Sequence, residues 1–221
     1  MGRLWIMLLA AIPLMTSCTT GPKEGIVGSA ADQERRAAQG GVPSLAPPKV
    51  PDDQWSRGLV GEWESSAESD LGRFKGWVKG RGRMTAEMGL GGHFLIMKME
   101  GHTTAVSDEY ARYLRETQRA SEEDIRRLQD LRFESLELLT TDPKTGEIVA
   151  YLFDSWRCVA KGEGKREGNR EVIQWEWSVG GQGTSVRTTE RIGDDRLVIV
   201  ERYALPSGGA MEDRVQMTRR R

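Results

Sequence analysis

From about Trp55 onward, apolar and polar residues alternate with a period of two in short runs separated by clusters of Gly, Asp, Asn and Pro, the pattern of β-strands joined by tight turns. The runs are Leu59 to Glu68, Phe74 to Met88, His93 to Thr103, Phe133 to Thr141, Ile148 to Trp156, Cys158 to Arg166, Val172 to Val179, Thr184 to Ile192, Leu197 to Leu205 and Met211 to Thr218. Leu95, Met97 and Met99 share one face of the third run, and Ile173, Trp175 and Trp177 alternate with Gln174 and Glu176 in the seventh. Asp142-Pro143-Lys144-Thr145-Gly146 is a strong hairpin turn, and Gly193-Asp194-Asp195 and Pro206-Ser207-Gly208-Gly209 close two more. About ten antiparallel strands connected in this way must close or stack to protect their edges, which predicts a mainly β, up-and-down barrel, with a β-sandwich as the alternative. Gly76, Gly80, Gly82, Gly162 and Gly164, inside the runs, suit bends or bulges at barrel corners.

Between Thr104 and Arg132 the period changes to about 3.6, grouping Tyr110, Tyr113 and Leu114, then Ile125, Leu128 and Leu131. Two short helices are predicted. Ser107 with Asp108 and Glu109 opens the first, and Ser121 to Asp124 has capping-box spacing for the second. This insertion, about residues 107–131, replaces a tight hairpin; it is either a surface elaboration or a lid or docking surface.

The N-terminus differs in kind. Met1-Gly2-Arg3 is a positive start and Leu4 to Met15 an apolar segment interrupted by Pro13, which is shorter than the roughly 20 residues a membrane span needs. Leu14-Met15-Thr16-Ser17-Cys18 resembles the lipobox of bacterial lipoproteins, so residues 1–17 read as a cleaved signal peptide and Cys18 as the lipidated residue. Thr19, where Asp would signal retention at the inner membrane, implies by resemblance to Gram-negative lipoproteins the periplasmic face of the outer membrane. Residues 18–53, with Pro22, Pro43, Pro47, Pro48 and Pro51, read as an extended tether, leaving residues 54–221 as one β-barrel domain.

A net charge of −1 provides no field to recruit nucleic acid. With Cys18 lipidated, Cys158 has no disulfide partner and reads as a small buried hydrophobe. No Gly-x-Ser-x-Gly elbow, phosphate-binding loop or His-Glu-x-x-His helix occurs in the mature chain, and His93 and His102 without a Cys or carboxylate cluster at ligand spacing make a poor metal site. No enzymatic activity and no metal are expected.

Leu59-Val60-Gly61-Glu62-Trp63, Leu90-Gly91-Gly92-His93-Phe94-Leu95 and Tyr151-Leu152-Phe153-Asp154-Ser155-Trp156, in this order and spacing, resemble the bacterial domain-of-unknown-function family 1579. The resemblance spans roughly Gly58 to Arg221 without the insertion and implies a calycin-like barrel related in shape to lipocalins, fatty-acid-binding proteins and nitrobindins. Gly61-Glu62-Trp63 is similar to the Gly-x-Trp signature of lipocalins, in which the ring closes one end of the barrel. Haem binding of the nitrobindin kind would use a histidine near the C-terminal end of the barrel; the only histidines, His93 and His102, lie elsewhere, so no cofactor is expected.

An eight-stranded barrel already holds one small ligand. The expectation is therefore a lipid-anchored envelope protein whose barrel binds a small apolar or amphipathic molecule lined by Trp63, Trp77, Trp175 and Trp177. Asp154, amid apolar neighbours, is expected to point inward with Arg187 as its partner, as a structural pair or as a ligand contact. The alternative is an envelope scaffold with a packed barrel that docks a protein partner through the helical insertion.

Overall fold

The computed structural model describes residues 53–179, 183–204 and 210–221. The signal peptide, Cys18, all of the tether except Asp53, and the turn at Pro206 to Gly209 lie outside them. Ten antiparallel strands form one closed barrel: β1 (Gly61–Leu71), β2 (Phe74–Gly89), β3 (Phe94–Val106), β4 (Arg132–Thr141), β5 (Ile148–Asp154), β6 (Val159–Glu167), β7 (Arg170–Val179), β8 (Gly183–Ile192), β9 (Arg196–Ala204) and β10 (Ala210–Arg219). Each strand pairs with its neighbours in sequence, and β1 closes on β10 from Trp63 opposite Arg219 to Leu71 opposite Met211. The up-and-down barrel expected from the alternation is what forms, and the sandwich does not.

Among the described residues three α-helices accompany the barrel: α1 (Gln54–Leu59), α2 (Asp108–Thr117) and α3 (Glu122–Gln129). The sequence pattern does not reveal α1, whose last residue, Leu59, it places in the first strand. Asp53 starts this helix by accepting the Ser56 backbone N–H at 2.9 Å and the Ser56 hydroxyl at 2.6 Å. At the other end of β5 the strand stops at Asp154 rather than Trp156. Asp154 Oδ1 takes the backbone N–H groups of Trp156 and Cys158, each at 2.8 Å, which folds the chain into a turn.

Inside the barrel the side chains fall into two layers. Around α1, Leu59, Trp63, Met84, Leu95, Leu139, Ile148, Ile173, Trp175, Leu197 and Met217 form the main core. Gly162 is required there, because a Cβ at that position would lie 2.9 Å from the Trp175 ring and 2.7 Å from Ile173. The second cluster lies at the opposite end of the barrel, where Phe74, Trp77 and Val78 of β2 and Met211 of β10 meet Tyr110, Ala111, Leu114, Ile125 and Leu128 of the helical pair. The caps anticipated for that pair are present: Ser107 accepts the Tyr110 N–H, and Ser121 and Asp124 make a reciprocal capping box. Its apolar stripe is therefore spent on the barrel's own rim, with the Trp77 and Tyr110 rings 4.5 Å apart.

Candidate functional site

The α1 end is sealed. Trp63 is 1% exposed and donates its indole N–H to the Leu59 carbonyl at 2.8 Å, while the Arg219 guanidinium stacks over the ring at 4.3 Å. Arg219 also donates to the carbonyls of Gly58 and Val60 at 2.6 Å each, tying the C-terminal strand across α1. Beside it, Arg166 bridges Asp53 at 2.6 Å and Glu171 at 2.8 Å, with Ser56 and Thr141 completing the network. Burial works against ionisation of Asp53, but hydrogen bonds from Ser56 and Arg166 outweigh it and bring its pKa down to about 2. Glu171, more deeply buried, is pushed upward by desolvation despite Arg166.

Across the middle of the barrel runs an ion pair. Arg187 of β8 donates two hydrogen bonds to Glu137 of β4, at 2.6 and 2.5 Å, and β4 and β8 are separated by three strands on one side and five on the other. The bridge therefore spans the lumen. The guanidinium lies 4.9 Å above the ring of Trp175, itself fully buried. Desolvation alone would weaken the charge on Arg187, yet the bidentate Glu137 prevails and holds its pKa above the ordinary value.

Beyond that bridge the wall turns polar. Arg187, Glu201, Asp213 and Ser69 are direct cross-strand neighbours on β8, β9, β10 and β1, and Ser185, Tyr203 and Met211 form the adjoining row. Arg187, Glu201 and Tyr203 stand at inward steps of their strands, and each is only partly buried. The wall formed by β1 and β2 beside Asp213 is built of small residues, Ser65, Ala67, Gly80 and Gly82, so little side-chain volume is available there to fill the lumen.

Hydrogen bonds organise this space. The Trp177 indole N–H donates to Ser185 Oγ at 3.1 Å, and the Ser185 hydroxyl donates to Glu201 Oε1 at 2.6 Å. Tyr203 has one phenolic proton and two carboxylate neighbours, Glu201 and Asp213; Ser69 also donates to Asp213. Burial pushes Glu201 upward and Asp213 to about 7, and drives the Tyr203 phenol well above its ordinary value. Asp213 Oδ1 and Arg187 Nε, both buried, have no hydrogen-bond partner.

The side chains singled out in the sequence separate accordingly. Trp177 and Arg187 face the internal space. Trp63 is the floor plug, as the Gly-x-Trp signature implies, and Trp175 lies packed beneath Arg187. Trp77 anchors the helical pair against the rim instead of lining the lumen. The pairing of Asp154 with Arg187 does not form: Glu137 takes Arg187, and Asp154 holds the β5–β6 turn. Cys158 is buried next to that turn, and desolvation followed by the Asp154 charge raises its thiol to about 11. Sequence reasoning missed Glu137, Glu201, Tyr203 and Asp213. Their signal was a polar residue at an inward step of a strand, as in Ile199-x-Glu201-x-Tyr203 and Met211-x-Asp213-x-Val215.

Among the described residues, no group of three or more His, Cys, Asp and Glu side chains is arranged to hold a metal ion. No protein-family model and no curated protein matches the chain. Among solved structures it is similar to the S-type phycobiliprotein lyase CPES from Guillardia theta, with a TM-score of 0.51 and 12% identity over 76% of this chain and 92% of that one. A de novo designed fluorescence-activating β-barrel matches more loosely, with a TM-score of 0.37 and 11% identity over 75% of this chain and 96% of the design. At such identities the likeness to the lyase is one of fold, a calycin-like barrel.

Proposed function

We propose that this chain is a binding protein of the cell envelope, a member of family 1579 that takes a small amphipathic molecule into the polar-floored upper half of its barrel and acts without catalysis. The observation that carries the reading is the set of inward-pointing, partly accessible side chains Arg187, Glu201 and Tyr203 beside the lumen-spanning Arg187–Glu137 pair. Partly buried Met97, Met99, Leu152, Ile199 and Val215 add apolar wall, so a ligand would meet hydrocarbon and polar groups together. The lyase CPES, similar in fold, adds the precedent of its barrel. Trp177, beside the polar groups, is the natural reporter: titration with a panel of lipids and amphiphiles is expected to change tryptophan fluorescence saturably and raise the melting temperature. Indifference of both signals to the whole panel would sink the reading.

The chain is proposed to be held at the periplasmic face of the outer membrane by acyl chains on Cys18, each buried methylene contributing about 0.8 kcal/mol. Cys18→Ala should then release the protein from membranes, whereas a variant that still sediments with lipid would rule out that anchor. The scaffold alternative has less support, because the apolar face of the helical pair is occupied by Phe74, Trp77 and Met211 of its own barrel.

A further inference from the structure

Resting on the proposed binding role, we infer that the head group recognised is a protonated amine, seated between Glu201 and Asp213 against the rings of Trp177 and Tyr203. Hydrogen-bond accounting comes first. The two carboxyl groups offer four oxygen atoms, and the protein donors that reach them are the hydroxyls of Ser185, Ser69 and Tyr203. Tyr203 can donate to only one carboxyl group at a time. Acceptors therefore outnumber donors, and Asp213 Oδ1, on a residue 8% exposed, is left with no partner at all. An ammonium group carries three N–H donors and no acceptor, the complement of this surplus. An alcohol supplies one donor, and a carboxylate would find only the unpartnered Arg187 Nε–H while setting its charge against Glu201 and Asp213.

Charge points the same way. Arg187 gives its two terminal nitrogens to Glu137 while its charge also acts on Glu201, so one guanidinium is shared among more carboxyl groups than it can neutralise, and Asp213 has no cation of its own. Arg166 is held at the sealed end by Asp53 and Glu171. Lys and Arg side chains on the outer face cannot reach through a closed sheet. The Trp177 and Tyr203 rings, 6.5 Å apart and tilted by 39°, supply negative π-faces next to the two carboxyl groups. Aromatic faces combined with carboxylates are the standard chemistry for holding an organic cation. The apolar wall that follows gives the amine's hydrocarbon part somewhere to go.

Three soluble probes of equal chain length, hexylamine, hexanol and hexanoate, separate this inference from the binding role beneath it. They would be titrated by calorimetry and tryptophan fluorescence into the full chain carrying Cys18→Ser, which leaves no site for acylation. Hexylamine is expected to bind about tenfold or more tightly than hexanol, and hexanoate weakest. Glu201→Gln and Asp213→Asn should each reduce hexylamine affinity about tenfold while leaving hexanol affinity within about twofold. Since either variant could disturb the fold, its unchanged hexanol binding serves as the internal control, and a variant that loses both probes is replaced by competition of the wild-type chain with tetramethylammonium and with acetate, where only the cation should displace hexylamine. Equal or stronger binding of hexanol or hexanoate would overturn the amine assignment and leave the pocket intact. Absence of saturable binding for all three would overturn the pocket and the amine together.

Discussion

The two halves of this barrel are built from the same alternation but finished differently. At the α1 end two inward arginines are held on several sides: Arg219 on the carbonyls of Gly58 and Val60, and Arg166 between Asp53 and Glu171. Apolar rings, Trp63 above all, fill the remaining space. Past the Arg187–Glu137 bridge the lumen keeps an unpartnered carboxyl oxygen, partly accessible aromatic rings and a wall of small residues. A buried polar group without a partner destabilises a fold by roughly 1–3 kcal/mol. The α1 end leaves the neutral indole N–H of Trp55 without a partner, whereas the other end leaves a carboxyl oxygen so, a penalty that a ligand would remove. Stability and binding should consequently respond to mutation at opposite ends of the same cylinder.

The sharpest way to break that contrast is to exchange a ring at each end. Trp63→Ala empties the plug and should destabilise by about 3–5 kcal/mol in denaturant unfolding. Trp177→Phe, which loses one hydrogen bond in a half-open setting, should destabilise by about 1 kcal/mol or less. Comparable losses at the two sites would mean that the upper half is packed as tightly as the lower.

Next comes the bridge between them. Arg187→Met leaves Glu137 buried without its cation and should destabilise by about 3–5 kcal/mol, whereas the double variant Arg187→Met with Glu137→Leu should recover most of that loss. A double variant no better than the single one would show that Arg187 is held chiefly by its other neighbours, Glu201 and the Trp175 ring.

The smallest effects lie in the pH profile, and their signs differ between the ends. Asp53 has its folded pKa lowered to about 2 from 3.8, so its contribution is present above about pH 4 and lost as pH falls toward 2. Asp213 has its folded pKa raised to about 7 from 3.8, so its contribution is present below about pH 4 and lost as pH rises through 7. Melting temperature should therefore be highest near pH 4 and fall on both sides of it. Asp53→Asn should flatten the acid limb and Asp213→Asn the neutral one. A neutral limb unchanged by Asp213→Asn would assign it to Glu201 or Glu171, whose carboxyl groups are also shifted upward by burial.

Much of this architecture was legible in the sequence because the signals are local. Two-residue alternation made ten strands recognisable, and Ser107, Ser121 and Asp124 announced the helical pair through capping that involves residues at most three positions apart. Gly61-Glu62-Trp63 placed the plug for the same reason. α1 escaped because six residues carry too little periodicity to be read, and its cap, Asp53, is stabilised by Arg166, 113 positions away.

The polar interior depended on closure. Alternation says that Glu137, Arg187, Glu201 and Asp213 point inward, but which of them meet is set by the register of each strand pair and by the position of β4 across the lumen from β8. The surroundings of Asp154 in the sequence suit it to pair with Arg187, yet two backbone N–H groups within four residues take its carboxylate. The direction in which a strand residue points is decided by the backbone around it and is therefore written locally. The identity of its neighbour across a barrel depends on the accumulated registers of the strands between them, and that distance exists only once the sheet has closed on itself.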